Sequence, residues 1–201
     1  MRLATPQTLP DTMRMDTTES LTNHFLIAMP TLADPNFVHT VTYVCEHNEN
    51  GAMGIVINRP LELALSDVLS HMEIEASASV DVAEPVFSGG PVQPEHGFVV
   101  HSPVGVWDSS MRITEEIAVT TSRDILAAIA HGEGPKEHLV ALGYAGWGAG
   151  QLEQEMGDNA WLSGPADRRI LFNTPVEERW SAAAALLGVD LRLLSNEIGH
   201  A

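Results

Sequence analysis

The chain has 201 residues, of which 27 are acidic and 10 are basic, so its formal net charge at pH 7 is -17. Binding to a nucleic-acid backbone depends on clustered Lys and Arg side chains, and the only adjacent basic pair is Arg168-Arg169. The composition therefore disfavours direct, sequence-specific DNA binding. A chain of this length can bury a substantial core, and its apolar fraction of 44% excludes a mainly disordered protein.

The cysteine content and the N-terminus bear on the cellular compartment. The single cysteine, Cys45, excludes an intramolecular disulfide and fits a reducing environment. No apolar run approaches the roughly 18 residues of a membrane span, and the polar N-terminus lacks the apolar stretch of a secretory leader. We expect residues 1–20 to be a disordered arm or an over-extended start of translation, residues 21–201 to form one domain, and the location to be the cytosol.

The first predicted elements along the chain are β-strands. The segment FLIAMP is short and apolar, and VHTVTYVCEH is dense in β-branched residues. Asn50-Gly51 then supplies a turn that tolerates positive φ, followed by the strand AMGIVIN. If these two residues close the turn, Gly54 lies opposite His47 and Asn58 lies opposite Tyr43.

The later elements alternate between strands and short helices. VFSGGPV and GFVVHSP are predicted to form a second strand pair, with Gly89-Gly90 marking a close backbone approach. HLVALGYAGW is predicted as a buried strand that leads into the helix QLEQEM. Capping residues predict three further helix starts, at Ser66, Thr121 and Thr174. Because the hairpins are antiparallel and the helices are interspersed, the pattern predicts a compact α+β fold with strongly bent mixed sheets.

A thiol, an imidazole and an amide are predicted to share one face of the first hairpin. Side chains alternate along a strand, so Cys45 and His47 are expected to be neighbours, joined by Asn58 from the partner strand. These residue types match a cysteine nucleophile with its base and orienting group. They are candidates for a cysteine-dependent hydrolase or transferase, although residues i and i+2 lie about 7 Å apart along a strand.

A structural zinc site is a weaker alternative. Cys45 and His47 are competent zinc ligands, and His39 or His101 would be a third. The spacing matches no zinc motif, and a second cysteine pair is missing. We therefore predict no metal site and no cofactor.

Several glycines and an arginine complete the candidate residues. GYAGWGAGQLEQE leads through small residues to a helix start, but it lacks the P-loop and dinucleotide patterns. Close packing around Trp147 is the simpler interpretation.

Arg59 is expected to close a loop against the fold, to pair with Glu46, or to reach a ligand carboxylate.

Taken together, these segments resemble one known family. The resemblance rests on HFLIAMP, CEHNENGAMGIVINRP, FSGGPV, GFVVH, GYAGWGAGQLEQE and the later RW, and it runs from about Leu21 to the C-terminus. The sequence is similar to the AlgH (YqgE) family of bacterial proteins. The resemblance implies a compact α+β fold with strongly coiled, bifurcated sheets, no assigned activity, and a frequent label of transcriptional regulator.

The leading functional hypothesis is a non-catalytic cytosolic binding or regulatory module. It would bind an unidentified protein or small molecule, without a membrane partner, through polar residues displayed around the first hairpin. On this view alanine at His47 or Arg59 changes the melting temperature by only a few degrees. The binding candidates are Glu46, His47, Asn48, Asn58, Arg59, Gly89, Gly90, Trp147 and Gln151.

Overall fold

The computed structural model describes residues 20–191, so the predicted N-terminal arm lies outside the described residues except for Ser20. The strands are β1 (His24–Ala28), β2 (Val41–Asn48), β3 (Gly51–Val56), β4 (Pro60–Ala64), β5 (Pro85–Ser88), β6 (Val92–Ser102), β7 (Ser110–Arg112), β8 (Ala118–Thr120), β9 (Glu137–Gly148) and β10 (Trp161–Pro165). The helices are α1 (Leu65–His71), α2 (Arg123–His131), α3 (Gln151–Gly157), α4 (Arg168–Phe172) and α5 (Arg179–Leu186), the last preceded by a 3-10 turn, Val176–Glu178. The predicted mixed α+β class is confirmed.

The long strand β9 is the hub of a curled sheet with the order β10-β1-β2-β3-β9-β6-β8-β7. Its second half pairs with β3, from Ala145 to Gly148, and its first half pairs with β6. The first half also pairs in parallel with β5, which in turn pairs with β4. The sheet therefore divides at β9, as the resemblance implies.

The predicted register of the first hairpin is wrong. Asn48 faces Gly51, so Glu49 and Asn50 form the turn, and His47 faces Ala52 rather than Gly54. A β-bulge then interrupts the pairing between Val44 and Glu46. A bulge inserts one extra residue into the strand, so the alternation of faces reverses across it.

Three groups of apolar side chains form the core. Strands of both halves of the sheet pack with α4 and α5, and Cys45 belongs to this cluster. α1 and α2 cover a second cluster around Val99 and Val140. The third cluster lies beneath α3 and includes Trp147 and Trp161. No helix among the described residues is both long and apolar enough to cross a membrane.

The second predicted strand pair is wrong in its partners. β5 and β6 form as strands, but each pairs with β9 instead of with the other. Gly89 and Gly90 confirm the predicted close approach: a Cβ atom added at Gly90 would lie 2.1 Å from the carbonyl carbon of Tyr144. The chain that approaches these glycines is therefore the backbone of β9.

The predicted helix starts differ from the structure by one to five residues. α1 begins at Leu65, where the Asp67 carboxylate accepts a hydrogen bond from the Ala64 N–H at 2.9 Å. α2 has Ser122 as its N-cap. The Thr174 hydroxyl donates to the carbonyl of Arg169, so it closes α4 and does not cap a new helix. α5 therefore begins later, at Arg179.

Candidate functional site

His47 is a buried clamp at the tip of the β2–β3 hairpin, with 6% of its surface exposed. The N–H of Leu21 donates to its Nδ1 at 2.9 Å, and its Nε2 lies 2.9 Å from Oε1 of Glu153 on α3. Because Nδ1 accepts, the proton of the neutral ring lies on Nε2 and is donated to the carboxylate. His47 thus joins three segments that are far apart in the sequence.

The backbone of His47 reinforces the same junction. Its N–H donates to the Thr22 hydroxyl at 3.0 Å, and its carbonyl accepts from the Ser20 hydroxyl at 2.9 Å. Glu153 lies on α3, where its carboxyl accepts hydrogen bonds from the backbone N–H of Glu153 and from His47. These hydrogen bonds hold the pKa of the Glu153 carboxyl below its usual range. The tip is therefore fixed from both the N-terminal segment and the helix.

A second carboxylate on α3 holds two indoles. Oε2 of Glu155 accepts hydrogen bonds from Nε1 of Trp147 at 2.9 Å and from Nε1 of Trp161 at 2.8 Å. Gln151 donates to Oε1 of Glu155 at 2.9 Å and accepts from the Gly148 N–H at 3.0 Å. Both indoles are buried, so the carboxylate satisfies donors that would be costly to leave unpaired. Trp147 and Gln151 are therefore parts of the scaffold.

Asn58 and Arg59 hold the other end of the hairpin. The amide of Asn58 accepts from the Val41 N–H at 2.8 Å and donates to the His39 carbonyl at 2.9 Å. Arg59 donates to the carbonyls of Pro35 and Val38 at 2.8 and 3.1 Å. Arg59 thus closes a loop, and the predicted pairing with Glu46 is wrong. Asn58 also does not face Tyr43, whose cross-strand partner is Ile55.

Cys45 and His47 do not share a face, so this expectation is wrong. The bulge turns Cys45 into the core cluster beneath α4 and α5, whereas His47 points towards α3. The Cys45 thiol is 2% exposed and lies 3.5 Å from the Tyr43 carbonyl. Burial raises its pKa to about 12. Both ring nitrogens of His47 are bonded elsewhere, so the cysteine-dependent alternative depends on residue types alone.

Native Cys45 is expected to be inert to alkylation. Only the thiolate is a good nucleophile, and burial both disfavours the thiolate and blocks access. At pH 8 we expect iodoacetamide to modify the folded protein at least about 100-fold more slowly than the same protein in 6 M guanidinium chloride. Mass spectrometry over time gives both rates, because the chain has one cysteine. Comparable rates would show that the thiol is accessible and activated.

The histidines considered as zinc ligands lie in other surroundings. The His101 ring is 2.8 Å from the Thr120 hydroxyl and 2.9 Å from the Pro103 carbonyl. The His39 ring packs against Trp180, with centroids 4.5 Å apart. Within residues 20–191, no group of three or more His, Cys, Asp or Glu side chains is arranged to hold a metal ion.

An open groove of about 380 Å³ lies beside the hairpin tip. Glu46, Asn48 and Asn50 form its polar rim and are exposed, and Glu46 accepts a hydrogen bond from Asn48 at 2.7 Å. Its floor is mostly apolar. The floor residues are Gly51, Ala52, Met53, Val92, Tyr144, Gly146 and Trp147. Of the predicted binding residues, the structure brings Glu46, Asn48 and Trp147 together here.

A larger cavity of about 620 Å³ lies between α1, α2 and β6. Its walls are mainly apolar, from Val68, Met72 and Leu126, and two histidines, His71 and His96, line it. Sequence reasoning did not predict this cavity, because its walls come from segments far apart in the chain.

This is a mixed α+β protein in which the sheet divides at β9 and hydrogen bonds hold the β2–β3 hairpin in place. Its polar residues stabilise the fold, and a groove lies beside the hairpin tip. A family model described as AlgH-like (DUF179) matches residues 25–192, and the chain belongs to this family. A UPF0301 protein of Thioalkalivibrio sulfidiphilus is 65% identical over 188 residues, which cover 93% of this chain and 100% of that protein. The predicted family is therefore confirmed.

Two solved structures share the fold. The solution structure of the AlgH protein of Pseudomonas aeruginosa is 52% identical, with a TM-score of 0.74 over 94% of this chain and 100% of that one. The crystal structure of a Corynebacterium diphtheriae protein has a TM-score of 0.68 at 19% identity, covering 89% of this chain and 93% of that one. The second likeness concerns the fold alone.

Sequence reasoning missed the roles of Glu153 and Glu155. The spacing of Gln151 and Glu155, four residues apart on a helix, places them on one face and was the available signal. Which imidazole Glu153 contacts, and which indoles Glu155 contacts, depends on how α3 packs against the sheet.

Proposed function

We propose that this AlgH-like protein is a non-catalytic cytosolic module that binds a basic segment of a protein partner in the groove beside the β2–β3 hairpin. The observation that supports the proposal most is the combination of an exposed acidic and amide rim, Glu46, Asn48 and Asn50, with an apolar floor. A rim of this kind orients a ligand, and an apolar floor supplies the burial on which affinity depends.

The groove is preorganised by buried contacts. Trp147 lies in its floor, His47 lies in the strand between the rim residues Glu46 and Asn48, and each is hydrogen bonded to a carboxylate of α3. Preorganisation lowers the entropy cost of binding. The groove is also open, so it suits an extended segment of a partner better than an enclosed small molecule.

The charge indicates the chemistry of the partner. Glu46 and Glu49 are exposed at the tip, and the whole chain carries a formal charge of -17. Opposite charge speeds association and selects the partner, so a segment with Lys or Arg is favoured. The aliphatic stem of such a side chain would lie on Met53 and Tyr144, with its charged end near Glu46.

A photo-crosslinking amino acid tests the site. Placed at Asn48 in living cells, it should capture a partner that the same amino acid at Glu62, an exposed residue of β4, does not capture. The crosslinked protein is identified by mass spectrometry, and its segment is synthesised. Equal capture from both positions, or a captured segment without Lys or Arg, would contradict the proposal.

The charge reversal Glu46→Lys should weaken binding of the purified segment at least tenfold, which corresponds to about 1.4 kcal/mol. Glu62→Lys is the matched control and should change the dissociation constant less than twofold. Both side chains are exposed, so both variants should unfold within about 1 kcal/mol of the wild type. Isothermal titration calorimetry and urea denaturation give the two measurements. Unchanged affinity in Glu46→Lys would exclude this rim.

Direct DNA binding, which the family label of transcriptional regulator would imply, has less physical support. The net charge repels phosphate, and the polar residues of the hairpin tip are acidic or neutral apart from His47, which is buried. A regulatory role through a protein partner is compatible with the same groove.

A further inference from the structure

A second cavity contains a buried arginine without an acidic partner. The cavity has a volume of about 280 Å³ and lies where β9 meets the segment between α4 and α5. Arg179 lines it with only 5% of its surface exposed. A buried cation is normally paired with a carboxylate. No ion pair of Arg179 is found among residues 20–191.

The contacts of Arg179 hold its guanidinium without neutralising it. Nε donates to the Thr174 carbonyl at 3.0 Å, Nη1 donates to the Ile57 carbonyl, and the group lies 5.3 Å from the ring centre of Phe87. A guanidinium has five N–H groups, so three remain without an acceptor in the described part of the chain. Burial lowers the pKa of Arg179 to about 10, which leaves it charged at neutral pH.

The two acids that line the cavity are already engaged. Glu84 lies 2.9 Å from Nε2 of His138, and Glu137 accepts from Arg168. Although burial opposes it, the hydrogen bond and charge of Glu84 raise the pKa of His138 above its usual value. The uncompensated charges at this cavity are therefore positive. They are Arg179 inside and Lys136, which is exposed.

We propose that this cavity binds a small organic anion through a carboxylate or phosphate group, held by the guanidinium of Arg179 and the ammonium of Lys136. Arginine presents its N–H groups in a planar fork that matches both anions. The Asn173 side of the cavity adds a polar wall, and Phe87, Leu139, Phe172 and Val176 add apolar surface. The volume of about 280 Å³ admits a head group with a body of a few carbon atoms.

Amide chemical shifts in ¹⁵N-labelled protein test the proposal with three probes at constant ionic strength. Inorganic phosphate and benzoate carry the two anionic groups, and benzyl alcohol resembles benzoate without its charge. We expect saturable shifts at Lys136, Asn173 and Val176 with phosphate, benzoate or both, and none with benzyl alcohol. Which anion binds distinguishes the phosphate from the carboxylate class. Shifts that equal those produced by chloride, or equal shifts with benzyl alcohol, would overturn the proposal.

Variants separate binding from folding. Lys136→Glu changes the only lysine of the chain, which is exposed, and it should weaken anion binding at least tenfold. Arg112→Glu makes the same charge change on the exposed strand β7 and should change the dissociation constant of the anion less than twofold. Arg179→Met should abolish the shifts. If that variant does not fold, Lys136→Glu still decides, because an unchanged dissociation constant in Lys136→Glu would contradict the proposed site.

Discussion

Gly90→Ala is expected to lower the free energy of unfolding by more than about 4 kcal/mol, or to prevent folding. Gly90 has φ near +150°, a conformation that disfavours a side chain. An added Cβ would lie 2.1 Å from the carbonyl carbon of Tyr144 and 2.3 Å from the nitrogen of Ala145. These are backbone atoms of the central strand β9, so the clash moves the sheet where it divides. Urea denaturation followed by tryptophan fluorescence measures the loss.

Gly97→Ala is the matched control for this prediction. Gly97 lies in β6, beside the same strand, but a Cβ there meets no atom within 4 Å. Its free energy of unfolding should stay within about 1 kcal/mol of the wild type. If Gly90→Ala and Gly97→Ala had the same denaturation midpoint, close packing of backbones would not explain Gly90, and a role in binding would become the better account.

His47→Ala is expected to destabilise the protein by about 2–4 kcal/mol. The substitution opens space in a buried site and leaves the Leu21 N–H and the Glu153 carboxylate without their partner. For a chain of this size, the melting temperature should fall by about 4–16 °C, at about 2–4 °C per kcal/mol. This replaces the expectation from sequence that alanine at His47 changes the melting temperature by only a few degrees.

Two further variants make the test of His47 specific. His96→Ala removes an exposed imidazole from β6 and should leave the melting temperature within about 2 °C. Glu153→Gln keeps an oxygen that accepts from Nε2, so it should cost less than about 1 kcal/mol. Calorimetry of the four proteins gives the comparison. A melting temperature of His47→Ala equal to that of His96→Ala would mean that His47 does not clamp the tip.

The local patterns in the sequence predicted most of the elements. β-Branched residues predicted the strand β2, the apolar run predicted β9, and Gly89-Gly90 marked a close backbone approach. These predictions succeed because propensity, capping and glycine conformation act over a few neighbouring residues. The pairing of β5 and β6 with β9 depends on contacts between distant segments, and local patterns do not contain it.

At the candidate site, too, local patterns gave the residue types, whereas the arrangement of the side chains depended on contacts between distant segments. The sequence identified the residue types at the hairpin, but one extra residue at the β-bulge moved Cys45 to the opposite face from His47. A register is set by which turn residues close the hairpin, and Glu49–Asn50 closes it instead of Asn50-Gly51. Arg59 and Asn58 looked free for a ligand, yet backbone carbonyls and an N–H from distant loops occupy them.

By itself the sequence determined the family, the α+β class, the acidic charge and the set of residues on which any function must draw, because these follow from composition and short-range order. Only the tertiary structure decided which polar groups brace the fold and which remain open. Burial of a hydrogen-bonding group depends on what packs over it, and His47 and Arg179 have partners that are 106 and 122 residues away along the chain.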